Sequence, residues 1–93
     1  MEIEYDHAKR LATIADRGID FEDASLVFAG SRRITWADDR QDYGEAREIT
    51  MGELAGRLVV IAHTARNEVT RIISMRKANE RETRWFEEQF AED

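Results

Sequence analysis

Arg66, Arg71, Arg76 and Lys77 flank an apolar run, Ile72-Ile73, inside residues 63–82 of a 93-residue chain that carries a net charge of −6. Arginine suits phosphate: its planar fork holds two oxygens at once and stays charged while a transition state gathers negative charge. Arg71 and Arg76 are the leading candidates. Arg66 approaches from the hairpin between two strands, Arg57 opens the same cationic segment, and Arg47 lies on the preceding strand with Glu45 two residues earlier. His63 stands beside the cluster, and an ordinary histidine pKa of ~6.5 suits proton transfer. Binding a phosphate ester and moving a proton near it is the chemistry these residue types can do.

Each residue also has an ordinary reading. A strand arginine can lay its aliphatic stem on the sheet and leave its head in water. Arg47 with Glu45 can be a surface ion pair of little worth, and Lys77 a solvated cation at a loop-to-helix junction. His63 shares its strand face with Ile61 and Val59, which points it inward. Thr64 and Ser74 lack the context of a hydrolase nucleophile. The acidic run Asp38, Asp39 and Asp42 lacks the glycine and terminal glutamate of a calcium loop and reads as a solvated turn. No metal site or cofactor is expected.

The charge is unevenly divided. Residues 1–56 hold seven Lys/Arg against thirteen Asp/Glu, residues 57–84 seven against three, and residues 85–93 none against four. A net acidic chain is a poor general nucleic-acid binder, because that affinity comes from neutralising phosphates. One cationic segment can still draw a polyanion locally while the remaining surface repels non-specific contact. The length supports a single domain spanning 1–93, near the size at which one core becomes marginal without help. With no cysteine there is no disulfide framework to supply that help. No apolar run approaches the ~20 residues of a membrane span, and the start lacks the regions of a signal peptide, so a cytoplasmic protein is expected.

Several elements must position the cations. Ile3 and Tyr5 alternate with Glu2 and Glu4 as in a short strand. Asp6 caps a helix in which Leu11, Ile14 and Ala15 recur at helical spacing, and Gly18 ends it. Asp20 caps a second short helix with Phe21, Ala24, Leu26, Val27 and Phe28 as its buried stripe, stopping by Gly30. Ile34-Thr35-Trp36 and Arg47 to Met51 read as strands, with a polar turn from Asp38 to Gly44 and another turn from Gly52 to Gly56. Leu58 to Ala62 is apolar on both faces, as a central strand should be. Asn67 and Glu68 turn the chain into a last strand, Val69 to Met75. Asn79 with Glu82 resembles a capping box, opening a helix whose apolar stripe is Trp85, Phe86 and Phe90. The fold class is α+β, in the order β-α-α-β-β-β-β-α, with an antiparallel sheet.

The series Asp6-x-Ala8-Lys9, Gly18-x-x-Phe21-Glu22-x-Ala24, Val27-Phe28, Gly44-Glu45-x-Arg47, His63-Thr64-x-Arg66 and Arg71-Ile72-Ile73-Ser74-x-Arg76-Lys77-Ala78-x-x-Glu82 resembles the BrnT family. The resemblance covers nearly the whole chain and is most specific in His-Thr-x-Arg followed by Arg-Ile-Ile-Ser-x-Arg-Lys-Ala. It implies a RelE-like toxin of a type II toxin-antitoxin system: a metal-independent endoribonuclease that cleaves mRNA, free or on the ribosome, and arrests translation. It also implies a ribbon-helix-helix antitoxin, BrnA-like, in a 2:2 hetero-oligomer that reaches operator DNA only through the antitoxin. The chain departs from the family pattern at His7, at Asp16-Arg17, and at Met75, where alanine is common. Met75 either reshapes the pocket or points into the core.

Metal-independent RNA cleavage uses the substrate's 2′-hydroxyl as nucleophile, so the protein must supply a base, an acid and cations for the crowded phosphate. Arg66, Arg71, Arg76, His63 and Glu45 are the catalytic candidates, with Arg47, Lys77 and Arg57 as RNA-binding residues. One geometric condition governs the set. Arg71 and Arg76 are five residues apart, so an unbroken strand sends them to opposite faces, and they act together only if the strand ends or bends between them. His63, likewise, is catalytic only if its ring escapes the core. The alternative is a toxin-like partner without catalysis that binds the antitoxin and acts as a corepressor.

Overall fold

The computed structural model describes residues 1–91. Their alternating and helical stripes assemble as β1 (Ile3–Glu4), α1 (His7–Arg17), a 3₁₀ turn (Phe21–Asp23), α2 (Ala24–Ala29), β2 (Arg33–Asp38), β3 (Arg47–Leu54), β4 (Arg57–Arg66), β5 (Val69–Lys77) and α3 (Glu80–Gln89). The expected order of elements is borne out. The sheet runs β1-β5-β4-β3-β2, and β1 is parallel to β5 while every other pair is antiparallel. The sheet is therefore mixed rather than antiparallel throughout. Short hairpins force antiparallel neighbours, whereas the helical crossover from β1 to the far edge imposes no such constraint.

The caps act as their residue types require. The Asp6 carboxylate accepts from the Lys9 amide at 3.0 Å, and Gly18 closes α1 in the left-handed region at φ 66°. Yet α1 buries no residue, and Leu11 stays 61% exposed. It is tethered instead by polar contacts. Arg10 forks onto Asp20 at 2.8 and 3.0 Å, and the Arg17 guanidinium donates to the Met75 carbonyl at 2.9 Å.

β4 is the central strand, and its alternation divides the core. Val59 and Ile61 join Ile19, Phe21, Ala24, Val27, Ile72 and Met75 on the α2 face, while Leu58 and Val60 join Ile49, Met51, Ala78 and Phe86 on the α3 face. Phe21 and Phe86 are fully buried anchors of the two clusters; truncating either to alanine should cost about 3–5 kcal/mol.

Four local expectations change. Leu26 is exposed, because at 100° per residue it projects about 160° from Ala24 and Phe28. Trp85 is 40% exposed, leaving Phe86 and Phe90 to carry the apolar face of α3. Gly52 lies inside β3, since the turn is only Ala55 and Gly56, at φ 52° and 81°. A Cβ at Gly52 would lie 2.7 Å from Val27 Cγ1, so glycine there serves the close approach of α2 to the sheet. Finally, β5 runs to Lys77 rather than stopping at Met75.

Candidate active site

The site begins with an irregularity in β5. His63 stands opposite Ile72 and Ala62 opposite Ser74, so Ile73 is an extra residue, a β-bulge. Its effect is visible in the core. Ile72 and Met75, three residues apart, both enter the cluster on the α2 face, where an unbroken strand would separate them. Arg71 and Arg76 are thereby turned together onto the α3 face. The strand bends rather than ends between them.

Registration across the sheet places the other groups. Asp38 faces Arg47 on neighbouring strands, and Thr64 pairs with Arg71, which pairs in turn with Glu4. Four residues along β4, about 13 Å away, Val60 pairs with Arg76. The row between them holds Trp36, Ile49, Ala62 and Ser74. Small side chains at Ala62 and Ser74 leave a hollow of about 260 Å³ bordered by Asp38, Arg40, Arg76 and Glu82.

Arg40, Arg47, Arg66, Arg71 and Arg76 each already have a carboxylate. Arg76 forks onto Glu82 at 2.8 Å through both oxygens, and Arg40 onto Asp38 at 2.7 and 2.8 Å. Glu45 bridges Arg66 at 3.2 Å and Arg47 at 3.3 Å, and Arg71 lies 3.6 Å from Glu4. Arg47 also stacks 4.1 Å from the Tyr43 ring centroid, and the Tyr43 hydroxyl donates to Asp38 at 3.1 Å. Five guanidinium groups against four carboxylates form a nearly balanced network that a phosphate can enter by exchange.

The network sets the ionisation of its acids. The Arg76 fork holds Glu82 down at about 2, and the Arg40 fork does the same to Asp38, at about 2. Glu45 is lowered by Arg66 first and then by Arg47. The Arg76 guanidinium is held more firmly protonated by Glu82, against partial burial and, to a lesser degree, the like charge of Arg40. The carboxylates facing the hollow are therefore ionised near neutrality and weakly basic.

Three candidates fall elsewhere. His63 is 6% exposed on the α2 face, its Nε2 2.7 Å from the Thr50 hydroxyl and its ring edge-on to Phe28 at 4.9 Å. Burial lowers its pKa. Its ring has not escaped the core, and the sheet separates it from the arginines. Arg57 points to the α2 face and donates to the Gly18 carbonyl at 3.4 Å. Lys77 pairs with Val59 across the strands and alternates away from Arg76. Met75 is fully buried, so its departure from the family pattern affects the core rather than the hollow.

Sequence reasoning missed Arg40, Asp38, Tyr43 and Glu82 as members of the site. The Asp38-x-Arg40 spacing and the capping glutamate were visible, but each satisfied a local explanation as turn or cap. Thr64 is also explained by its surroundings, since its hydroxyl donates to the Ala46 carbonyl at 2.6 Å and fixes the loop carrying Glu45.

No curated protein matches the chain. A family model described as the ribonuclease toxin BrnT of type II toxin-antitoxin systems matches residues 5–82, which include the bulge, Arg40, Arg47, Arg66, Arg71, Arg76 and Glu82. With most of its length matched and its paired arginines gathered on one face, the chain belongs to the BrnT family of ribonuclease toxins of type II toxin-antitoxin systems.

Proposed function

We propose that this toxin is a metal-independent endoribonuclease of RelE-like type, cleaving mRNA at the α3 face of the sheet and arresting translation. The observation that carries this reading is the bulge at Ile73, which turns Arg71 and Arg76 to the same side. Arg76 and Arg71 clamp the scissile phosphate and stabilise the charge that grows on its oxygens. Arg66 and Arg47 hold Glu45 and track the flanking phosphates. The substrate's 2′-oxygen attacks phosphorus, its proton passes to the Glu45 carboxylate, and the 5′-oxygen leaves and is protonated from solvent. Products are a 2′,3′-cyclic phosphate and a 5′-hydroxyl.

Glu45 is a weak base, so positioning and electrostatic stabilisation carry most of the acceleration. Ribosome-bound messenger, whose backbone is already held, suits such a site. The same fact favours a second reading, a non-catalytic antitoxin-binding corepressor, because each site arginine is already paired. A ribbon-helix-helix antitoxin of BrnA type in a 2:2 complex is the proposed partner, its acidic groups exchanging with Glu82 and Glu45 at the arginines. Conditional expression separates the readings. Catalysis predicts growth arrest and RNA fragments ending in cyclic phosphate, both lost in Arg71→Ala and Arg76→Ala variants that still fold. Wild-type expression without arrest or cleavage rejects it in favour of the corepressor.

A further inference from the structure

Beside the cationic hollow lies a second and larger recess, of about 470 Å³, lined by Ile34, Trp36, Met51, Arg81, Glu82 and Trp85. Its floor is sheet and its far wall is α3. Trp36 and Trp85 are 38% and 40% exposed, and their rings meet edge-to-face at 5.6 Å. Trp36 alternates with Asp38 along β2, on the face that carries Arg47 and Arg76. The two recesses share Trp36 and Glu82, so they form one continuous trough.

From this continuity we infer that the tryptophan recess is a nucleobase subsite, taking the base next to the scissile phosphate of a single-stranded RNA. A strand whose phosphate lies on Arg76 passes directly to Trp36, and Arg81 supplies a cation at the rim for the following phosphate. Ile34 and Met51 offer apolar contact and no hydrogen-bond donors, so the recess reads the flat face of a base and leaves its polar edge to water. Such stacking tolerates any base but favours purines, whose faces are larger. This inference rests on the ribonuclease reading and adds a recognition element to it.

The test uses the full chain with short single-stranded 2′-O-methyl RNA, which binds without being cleaved, in fluorescence anisotropy. Trp36→Ala and Trp85→Ala should each weaken binding by about 5- to 150-fold, with Trp36→Phe retaining most of the affinity. An abasic residue at one oligonucleotide position should weaken binding to the wild type but add little to the Trp36→Ala loss. Circular dichroism and melting of each variant establish folding, and Trp36→Leu, which keeps apolar bulk but no aromatic face and should lose affinity as the alanine variant does, carries the comparison if the alanine variants unfold. Wild-type affinity in folded Trp36→Ala, Trp36→Leu or Trp85→Ala overturns the subsite. It is overturned equally if those variants keep RNA binding but lose antitoxin binding, or self-association at high concentration, because the recess then belongs to a protein partner. If the wild type cleaves RNA yet the tryptophan variants bind normally, only the subsite fails; if it neither binds nor cleaves RNA, the ribonuclease reading fails with it.

Discussion

Replacing Glu82 by glutamine isolates the most heavily constrained ion pair of the site. Glu82 has two tasks: its Oε1 accepts from the Asn79 amide at 2.9 Å in the capping box, and both its oxygens hold Arg76 at 2.8 Å. Glutamine serves the first task as well as glutamate, so α3 remains capped. It abolishes the second as an ion pair. A carboxyl pKa lowered from 4.5 to about 2 corresponds to about 3.4 kcal/mol of preference for the ionised form. The Arg76 side chain is 44% exposed, and solvent screening reduces a pair of this kind to about 1 kcal/mol. The variant should therefore melt about 4–8 °C lower at neutral pH. The sign with pH follows from the depressed value: the contribution is fully present above 4.5 and disappears as pH falls toward about 2. Chemical denaturation across that window should flatten in the variant. Because phosphate no longer competes with Glu82 for Arg76, affinity for 2′-O-methyl RNA should rise about fivefold, the equivalent of about 1 kcal/mol. Anisotropy at fixed low salt measures it. Unchanged or weaker binding by a folded Glu82→Gln protein would refute the exchange of carboxylate for phosphate at Arg76.

Other substitutions probe separate parts of the argument. Arg76→Ala and Arg71→Ala should each lower the rate of RNA cleavage by about 10²–10³-fold, and the double variant should lose less than the product if the two clamp one phosphate; single-turnover assays decide. His63→Gln should leave cleavage near the wild-type rate, because the histidine faces the opposite side, and a large loss of activity in a folded variant would contradict the placement. Burial also lowers the His63 pKa below 6.5, so its contribution to stability is present above that value and is lost as pH falls through it. Urea midpoints taken from pH 8 down to pH 5 should drop more steeply in the wild type than in His63→Gln. Gly52→Ala must push Val27 or Arg33 aside, since the added Cβ meets them at 2.7 and 3.2 Å, and should destabilise by about 1–3 kcal/mol, read as a lower melting temperature.

Much of the architecture follows from local rules. Asp6, Gly18 and Asn79 cap helices because their side-chain or backbone chemistry satisfies orphan amides and carbonyls, whatever packs above them. Leu58 to Ala62, apolar on both faces, could only be a central strand, and Asn67 and Glu68, at φ 51° and 70°, make the two-residue turn their position demanded. The parallel joining of β1 to β5 was not legible, because strand direction in a sheet depends on where a crossover returns and no local residue encodes it. Leu11 at helical spacing promised a buried stripe and instead faces water. Periodicity reports which residues share a face, and only the surrounding elements decide whether that face is covered.

The candidate site divides along the same line. Residue types and spacing singled out a candidate phosphate-binding set in residues 63–82 of this acidic chain, and they stated the condition for it to act together. Whether the condition is met depends on one extra residue in the pairing of β4 with β5, a property of two strands held side by side that neither possesses alone. That bulge sends Arg76 to the arginine face and Met75 to the core. The tertiary structure likewise decided against His63, because two neighbouring strands bury its ring against Thr50 and Phe28. Arg40 and Glu82 joined the site because separate segments, each locally explained as turn or helix cap, meet above Ala62 and Ser74.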